Sequence, residues 1–219
     1  MKKINETTFT SDNGLITFIH GDCMEFMAGC WENEFDLAVV DPPYGIERFQ
    51  KGSLRFDKKG IAKNGIKWDV KPTQSFFDNL FIVSKNQIVF GANNFIMPPT
   101  EYFLIWNKQQ TVDNFASAEY AWVSMGLKMP AKVFDYSIHK HNQTEKIHLT
   151  QKPIALYRWI FKNYAKPTDT IIDTHGGSMS SAIAAHMEGL RMTIVELDPD
   201  YFKAALNRFA IYESQLRLF

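Results

Sequence analysis

The sequence has little of several things that mark particular classes of protein. Only two cysteines, Cys23 and Cys30, occur among the 219 residues, too few for a disulfide framework or a recognisable zinc set. No apolar run approaches the roughly 18–20 residues that cross a bilayer. The first residues carry no apolar stretch typical of a signal peptide. We therefore expect a cytoplasmic protein with no membrane segment and no metal site.

An excess of one charge is also missing. Lysine and arginine together number 24, as do aspartate and glutamate, so the formal net charge is zero. A uniformly basic nucleic-acid coat protein is disfavoured, although local basic patches are compatible with neutrality. The 18 Phe, 8 Tyr and 5 Trp residues need a core to bury them, which excludes global disorder. Length and composition predict a single domain carrying at most a small insertion.

Short apolar runs typical of strands alternate with longer helical stretches along the chain. Strands are predicted at 16–20, 35–40, 87–91, 102–106, 119–124, 132–138, 170–173 and 192–197, and helices at 24–29, 72–84, 153–164, 179–187 and 199–216. Pro72 and Pro153 are expected in the first turns of their helices. The alternation predicts an α/β fold with a doubly wound, mostly parallel sheet and helices on both faces.

An acidic turn stiffened by two prolines follows one predicted strand. Asp41, Pro42, Pro43 and Tyr44 come directly after the run 35–40, and open α/β sheets bind ligands beyond the carboxyl ends of their strands. Because proline lacks an N–H, the turn would present a carboxylate, unpaired carbonyl oxygens and an exposed aromatic ring. These groups suit an exocyclic amine on a flat ring that stacks on the tyrosine. An ordinary strand-ending turn with a surface tyrosine is the competing interpretation.

A turn containing two glycines follows another predicted strand. Asp173 ends that strand, Gly176, Gly177 and Ser178 form the turn, and Glu196 ends the next strand, 19 positions after the second glycine. Glycines permit close approach of a ligand, and the later carboxylate can accept hydrogen bonds from ribose hydroxyls. A full GxGxxG and a P-loop lysine are both missing. The pattern favours a nucleoside-cofactor site over an ordinary helix start that contains glycine.

A third segment, His148–Pro153, precedes the predicted helix at 153–164. Thr150 and Gln151 can hydrogen-bond a carboxylate or cap that helix. By itself this segment is typical of a capped helix start.

Together and in this order, the three segments resemble those of the circularly permuted β class of DNA amino-methyltransferases, over most of the chain. The resemblance implies a Rossmann-like fold, S-adenosylmethionine as cofactor, and methyl transfer to the N6 amine of an adenine flipped out of double-stranded DNA. It gives the catalytic role to Asp41, Pro42, Pro43 and Tyr44. Aspartate before the prolines favours adenine, and cytosine N4 stays open as the alternative target, as do RNA and a protein amide.

The resemblance also implies a cofactor site built from several segments. His20, Gly21 and Asp22 are similar to the family element that contacts the cofactor adenine, and 195–198 is similar to its ribose-binding strand end. The family usually carries Asp-Pro-Phe-x-Gly-Ser-Gly where this chain has Asp-Thr-His-Gly-Gly-Ser-Met. His175 therefore replaces a phenylalanine, and we expect it to pack or hydrogen-bond rather than act as a base. The predicted cofactor-binding residues are Asp22, Asp41, Gln151, Lys152, Asp173, His175, Gly177, Ser178, Glu196 and Asp198.

A basic segment follows the acidic turn. Residues 48–71 hold eight lysines and arginines against two aspartates, which predicts a mobile loop over about 46–71 that neutralises phosphates. A solvated charged loop is the competing interpretation. Residues 128–147 form a short predicted target-recognition stretch, and about 148–219 the cofactor-binding half of one methyltransferase domain spanning 1–219. The predicted DNA contacts are Arg48, Lys51, Arg55, Lys58, Lys59, Lys63 and Lys140.

Two further hypotheses follow from departures from the family pattern. His175 and Met179 in the glycine turn are compatible with a binding module that keeps the fold without activity. The short recognition stretch suggests a homodimer that completes the engagement of DNA. The two cysteines are expected to be small buried apolar residues.

Overall fold

The computed structural model describes residues 1–45, 69–113, 115–142, 144 and 146–215. Within these ranges the strands are β1 (Lys2–Lys3), β2 (Thr8–Thr10), β3 (Ile16–His20), β4 (Phe35–Val40), β5 (Ser84–Phe90), β6 (Phe103–Asn107), β7 (Ala118–Val123), β8 (Lys132–Asp135), β9 (Thr170–Asp173) and β10 (Arg191–Glu196). The helices are α1 (Cys23–Ala28), α2 (Gln74–Val83), α3 (Ile138–Asn142), α4 (Ile154–Tyr164), α5 (Ser180–Met187) and α6 (Pro199–Gln215). The basic residues predicted between 46 and 68 lie outside the described ranges.

All ten strands belong to one sheet, in the order β1-β2-β3-β10-β9-β4-β5-β7-β6-β8. The five central strands, from β3 to β5, are mutually parallel. Antiparallel pairs flank them, because β2 runs against β3 and β7 runs against both β5 and β6. The predicted doubly wound and mostly parallel sheet is confirmed. The antiparallel margins were not predicted, since β1 and β2 are too short to show an alternating pattern.

Helices cover both faces of the sheet because successive strand residues point to opposite sides. On β4, Leu37 and Val39 belong to one core cluster, whereas Ala38 and Val40 belong to the other. Helices α4, α5 and α6 pack on the first face. Helices α1 and α2 pack on the second. A continuous apolar strand is therefore buried on both sides, as its sequence predicted.

Three helix starts differ from the predictions. Pro72 precedes Thr73, the N-cap of α2, and Pro153 is itself the extended N-cap of α4, with φ −65° and ψ 137°. Met179, expected inside a helix, is instead the left-handed N-cap of α5, with φ 53°. The fixed φ of proline fits both an N-cap and a first helical turn, so the residue type alone does not choose between them.

The strand predicted at 132–138 is also shorter than expected. Strand β8 ends at Asp135, and α3 occupies part of the polar stretch that follows. The Trp106 indole donates a hydrogen bond to the Tyr136 carbonyl at 2.9 Å, which uses that carbonyl outside the sheet. The chain therefore leaves the sheet earlier than its apolar pattern predicts.

The connections between strands locate a cleft at one edge of the sheet. Strand β4 leads through α2 to β5 on one side, and β9 leads through α5 to β10 on the other. Since β4 and β9 are neighbours, the two connections diverge from a single point in the strand order. Ligands of open α/β sheets bind at the carboxyl edge of such a switch point. Among the described residues, no helix is long and apolar enough to span a bilayer.

Candidate active site

Carboxylates stand at the carboxyl ends of four neighbouring parallel strands. Asp22 follows β3, Glu196 ends β10, Asp173 ends β9 and Asp41 follows β4. Parallel strands bring these ends to the same edge, so residues remote in sequence become neighbours. Strand β7 runs in the opposite direction, and its beginning therefore reaches the same edge and adds Glu119. We call Asp22, Asp173 and Glu196 the acidic edge.

Asp41 lies at the centre of a group of paired side chains. The Tyr44 hydroxyl donates a hydrogen bond to Asp41 Oδ1 at 2.6 Å, and the Lys152 ammonium forms an ion pair with Oδ2. The Lys152 side chain is only 4% exposed, so it is held inside the protein rather than at its surface. Pro42 is buried and Pro43 half-buried beside it. The predicted turn therefore forms, with a lysine added from the third sequence segment.

Tyr44 is half-buried, so the prediction of an exposed ring is wrong. Its hydroxyl turns inward to Asp41, and its ring lies edge-on to Phe95 with centroids 6.2 Å apart. Burial, followed by the nearby carboxylates of Asp41 and Glu119, holds its pKa well above the usual value. The phenol therefore stays protonated and acts as a donor.

Gly91 makes room for this ring. It follows β5 with φ +62°, and a Cβ on it would lie 2.1 Å from Tyr44 Cε1. Both the backbone conformation and the contact require glycine. Gly91 was predicted only as the last residue of a strand, although a glycine that closes an apolar strand indicates close approach of another group.

The lysine is shared with a second carboxylate. Glu119 Oε2 lies 3.3 Å from Lys152 Nζ, and Glu119 Oε1 lies 2.6 Å from Lys108 Nζ. Four charges thus alternate in sign, in the order Asp41, Lys152, Glu119, Lys108, and we call them the charge cluster. Neither Glu119 nor Lys108 was predicted from the sequence to belong to the site. The only signal was a glutamate within an otherwise apolar strand.

The charged forms of Lys152 and Glu119 are favoured by their partners in the cluster. Burial alone would lower the pKa of Lys152, but the carboxylates of Asp41 and Glu119 outweigh it and raise that pKa above the usual value. Burial likewise opposes ionisation of Glu119, yet Lys152 and Lys108 hold its pKa below the usual value. Opposite charges at these distances favour the charged forms of both partners.

The acidic edge is held by the backbone instead. Glu196 Oε2 accepts a hydrogen bond from Gly177 N at 2.6 Å, and its Oε1 accepts one from Asp198 N at 2.8 Å. Asp22 caps α1 by accepting from Met24 N at 2.6 Å. In the described part of the chain, no lysine or arginine forms an ion pair with Asp22, Asp173 or Glu196.

Asp173 is the most deeply buried of these acids, at 1% exposure. It accepts hydrogen bonds from Ser181 Oγ at 2.6 Å and from His175 N at 3.0 Å. Burial raises its pKa to about 7, and the charges of Asp41 and Glu196 add to that rise. This carboxyl therefore ionises less readily than an ordinary aspartate, and a cation placed beside it would favour its ionised form.

The other residues of the glycine turn are tightly packed. Gly176 is buried, and a Cβ on it would lie 3.1 Å from Ile194 Cγ1. The Ser178 hydroxyl pairs with Ser180 at 3.1 Å, and its carbonyl accepts from Arg208 at 2.6 Å. The predicted cofactor residue Ser178 thus has its side chain turned away from open solvent.

The two histidines near the turn are neutral. Burial lowers the pKa of His175 to about 4, and its ring lies edge-on to Phe76 at 5.1 Å. Burial also lowers the pKa of His148 to about 4, and that ring packs on Tyr201 with centroids 4.3 Å apart. Gln151, buried in the same loop, accepts from Ile147 N at 3.1 Å.

Of the predicted DNA contacts, only Lys140 lies in the described residues. It is exposed on α3, with its ammonium 5.4 Å from the centroid of Tyr136. Arg48, Lys51, Arg55, Lys58, Lys59 and Lys63 lie outside the described ranges.

Both cysteines are free, and both are half-buried rather than buried as predicted. Burial raises the pKa of Cys23 to about 12 and that of Cys30 to about 11. The described residues contain no group of three or more histidine, cysteine, aspartate or glutamate side chains that could hold a metal ion.

These features define a class of protein. A doubly wound sheet with its cleft at the switch point binds a ligand across the carboxyl ends of β4 and β9. The acidic edge offers acceptors for hydroxyl and ammonium groups. The charge cluster lies beside it, and the aromatic ring of Tyr44 is hydrogen-bonded to its Asp41. This combination is typical of α/β enzymes that bind a nucleoside cofactor.

The family model N6_N4_Mtase, described as DNA methylase, matches residues 58–207, which is more than half of the chain. The chain therefore belongs to this family of DNA methylases. Among its relatives, the Type II methyltransferase M2.MboI of Moraxella bovis is 22% identical over 247 aligned residues, covering 92% of this chain and 90% of that protein.

Solved structures show the same fold. The crystal structure of the M1.HpyAVI-SAM complex matches with a TM-score of 0.57 and 16% identity, over 88% of this chain and 99% of that one. The cytosine-N4-specific PvuII DNA methyltransferase matches with a TM-score of 0.60 and 12% identity, over 97% of this chain and 96% of that one.

Proposed function

We propose that this chain transfers a methyl group from S-adenosylmethionine to the N6 amine of adenine in double-stranded DNA, as a member of the circularly permuted β class. The observation that carries the proposal is the meeting of Asp41 and Asp173 at adjacent strand ends, where the two sequence segments with the clearest chemistry form one cleft. The order of the three segments along the chain supports the permuted class.

The cofactor would bind along the acidic edge. Its sulfonium and ammonium groups are cationic, and the acidic edge has carboxylates without ion-paired cations in the described residues. Glu196 and Asp198 would accept hydrogen bonds from the ribose hydroxyls, and Asp22 would lie toward the adenine. Gly177, Ser178, Gln151 and Lys152 would surround the methionine part. When bound, the cofactor supplies an electrophilic methyl group.

The amine would be held by the proline turn. Its lone pair is delocalised into the ring, which makes it a weak nucleophile. Asp41 and the Pro42 carbonyl would accept hydrogen bonds from its two N–H groups, favouring a tetrahedral nitrogen and stabilising the positive charge that develops there. Pro43 stiffens this turn. Tyr44 would stack on the flipped base and offset part of the few kcal/mol that unstacking costs. Most of the rate enhancement is therefore positioning.

DNA would be bound through the basic residues that follow the proline turn, with Lys140 adding a contact from α3. Each phosphate contact releases counterions, so affinity should fall steeply with salt. A double substitution, Lys58→Gln with Lys59→Gln, should lower the slope of log affinity against log salt by about 2. An unchanged slope would show that these residues do not contact DNA phosphates.

We also infer that the protein binds DNA as a homodimer. A monomeric mass of the protein–DNA complex during turnover would exclude this.

The direct test is to incubate the protein with labelled S-adenosylmethionine and unmethylated duplex DNA, digest the DNA to nucleosides and identify the product by mass. We expect N6-methyldeoxyadenosine from the wild type, and about a 10²- to 10³-fold loss of transfer in a folded Asp41→Ala variant. Detection of N4-methyldeoxycytidine instead would show that cytosine, and not adenine, is the target base. Absence of label would reject the activity, and calorimetry with the cofactor would then identify a binding module.

A further inference from the structure

Glu119 lies in none of the three sequence segments assigned to the site, yet it contacts the central lysine of that site. It is on β7, where it pairs with Trp106 of the neighbouring strand. Its Oε2 lies 3.3 Å from Lys152 Nζ, without good hydrogen-bond geometry to any described residue. Its Oε1 is held by Lys108 at 2.6 Å. One oxygen of this carboxylate is thus anchored, and the other faces the lysine.

Asp41 is occupied on both oxygens in the same structure. Tyr44 donates to one oxygen and Lys152 pairs with the other. An ammonium on a carboxylate neutralises part of its charge, which weakens the hydrogen bond that the carboxylate can accept from an amine. For Asp41 to hold a target amine strongly, Lys152 must loosen its contact with Oδ2.

Lys152 cannot simply move into water. Its side chain is 4% exposed, and its ammonium lies 4.7 Å from the centroid of Phe90. A buried ammonium without a carboxylate partner is strongly unfavourable. Among the described residues, Glu119 is the other carboxylate within ion-pair distance of it.

We propose that Glu119 is a positioning residue that takes over the Lys152 ammonium when Asp41 accepts the target amine. This inference rests on the proposed function. Lys108 fixes the Glu119 carboxylate on its far side, and the Lys108 backbone N–H bonds Ser117 O at 2.9 Å across the β6–β7 pair. The flexible arm of Lys152 therefore moves, while the carboxylates stay in place. No proton is transferred in this exchange.

The kinetic test compares Glu119→Gln with the wild type under single-turnover conditions. The substitution keeps the shape and removes the charge. We expect methyl transfer to slow about 10- to 100-fold while the Kd values for cofactor and DNA change less than about twofold, because the lost interaction matters when the amine is held for reaction. Glu119→Asp, which keeps the charge, should recover at least about threefold of that rate.

Glu188→Gln is the matched control. Glu188 is also a partly buried glutamate in an ion pair, 2.6 Å from Arg158, away from the cleft. The rate of methyl transfer by Glu188→Gln should equal that of the wild type. A Glu119→Gln rate within about twofold of the wild type, or a loss found entirely in the DNA Kd, would overturn the inference. An inactive wild type would overturn the proposed function itself.

A second measurement needs no ligand. The titratable groups that face the ammonium are Asp41, Tyr44, Glu119 and His148, and Lys108 lies on the far side of Glu119. NMR titration of the Lys152 side chain in the ligand-free protein should show a midpoint at least about one pH unit lower in Glu119→Gln than in the wild type, since one stabilising carboxylate is gone. The midpoint should be unchanged in Glu188→Gln. Equal midpoints in all three proteins would show that Glu119 does not hold Lys152.

If Glu119→Gln does not fold, the Lys108→Met variant tests the same inference, because Lys108 anchors Glu119 on the side away from Lys152. It leaves Glu119 ionised through Lys152 but frees its Oε1. We expect a smaller loss of rate, about three- to tenfold, with unchanged cofactor affinity. A wild-type rate in that variant would contradict the exchange.

Discussion

The acidic edge and the charge cluster lie side by side on one sheet edge but hold their carboxylates in opposite ways. Asp22 accepts a hydrogen bond from the backbone N–H of Met24, and Glu196 accepts from those of Asp198 and of Gly177 in the neighbouring glycine turn. Asp41 and Glu119 are instead held by lysine side chains that come from other parts of the chain. The first arrangement leaves net negative charge, whereas the second is balanced.

This difference matches the charges of the two proposed ligands. Burial raises the pKa of Asp173 and Glu196 while no cationic partner is present, so a cationic ligand at the acidic edge would favour their ionised forms. A balanced cluster suits a neutral amine, which needs a directed acceptor rather than a strong field. This difference can be tested by substituting one residue of either region, or one of its neighbours, at a time.

The largest effect is expected from Lys152→Met. The substitution keeps an apolar stem but leaves Asp41 and Glu119 buried together without their shared cation. Breaking a buried pair in this way should lower the free energy of unfolding by about 3–5 kcal/mol, measured by urea denaturation. The exposed Lys162→Met variant should lose no more than about 0.5 kcal/mol. Equal losses in both variants would show that the cluster does not depend on its central cation.

Gly91→Ala should have the next largest effect, because it combines left-handed backbone with a Cβ at 2.1 Å from the Tyr44 ring. We expect a loss of about 2–3 kcal/mol in unfolding free energy, and about a 10²-fold slower methyl transfer because Tyr44 and Asp41 are displaced. Gly14→Ala is the control, since it has φ +75° but nothing within 4 Å. Gly14→Ala should lower the free energy of unfolding through backbone strain alone and leave methyl transfer normal. Equal losses of activity in Gly14→Ala and Gly91→Ala would contradict the role of the contact with the Tyr44 ring.

Asp173 should make stability depend on pH in a predictable direction. Its folded pKa of about 7 lies above the ordinary value of 3.8, so its stabilising contribution is complete below about pH 4 and is lost as pH rises through 7. Between pH 5 and 7 the wild type should lose about 2 kcal/mol of unfolding free energy relative to Asp173→Asn. The exposed Asp200→Asn variant should follow the wild type. A constant difference between wild type and Asp173→Asn across this range would contradict the raised pKa.

Glu196→Gln should produce the smallest change. It keeps an acceptor at the acidic edge but removes the charge that favours a cationic cofactor. The Kd for S-adenosylmethionine should rise about tenfold, equivalent to about 1.4 kcal/mol, with the DNA Kd unchanged. Isothermal calorimetry measures the first and a salt-matched binding titration the second. An equal rise in the Kd values for cofactor and for DNA would contradict the separate roles of the acidic edge and the charge cluster.

Much of the fold was predictable because its strands are continuous apolar runs bounded by polar residues. The runs 16–20, 35–40 and 170–173 agree with β3, β4 and β9 to the residue. Residues of the acidic edge were also predictable, since each acid lies within a few positions of its strand end or glycine turn. Sequence patterns resolve such local relations well.

The charge cluster was only partly predictable. Asp41 and Lys152 belong to recognisable segments, but their pairing depends on the position of a loop 111 residues further along the chain. Glu119 reaches the site only because β7 runs antiparallel to β5, and neither strand shows that direction in its sequence. The inward turn of Tyr44 was missed for the same kind of reason, because the space beside it is created by Gly91.

The sequence by itself determined the α/β class, the strands that form the parallel centre and the order of the chemical segments, because periodicity and turn residues act over a few positions. Tertiary structure decided which charges meet. Ion pairing, burial and pKa depend on distances between strands that are remote in the chain, and those distances exist only once the sheet order and the strand directions are set.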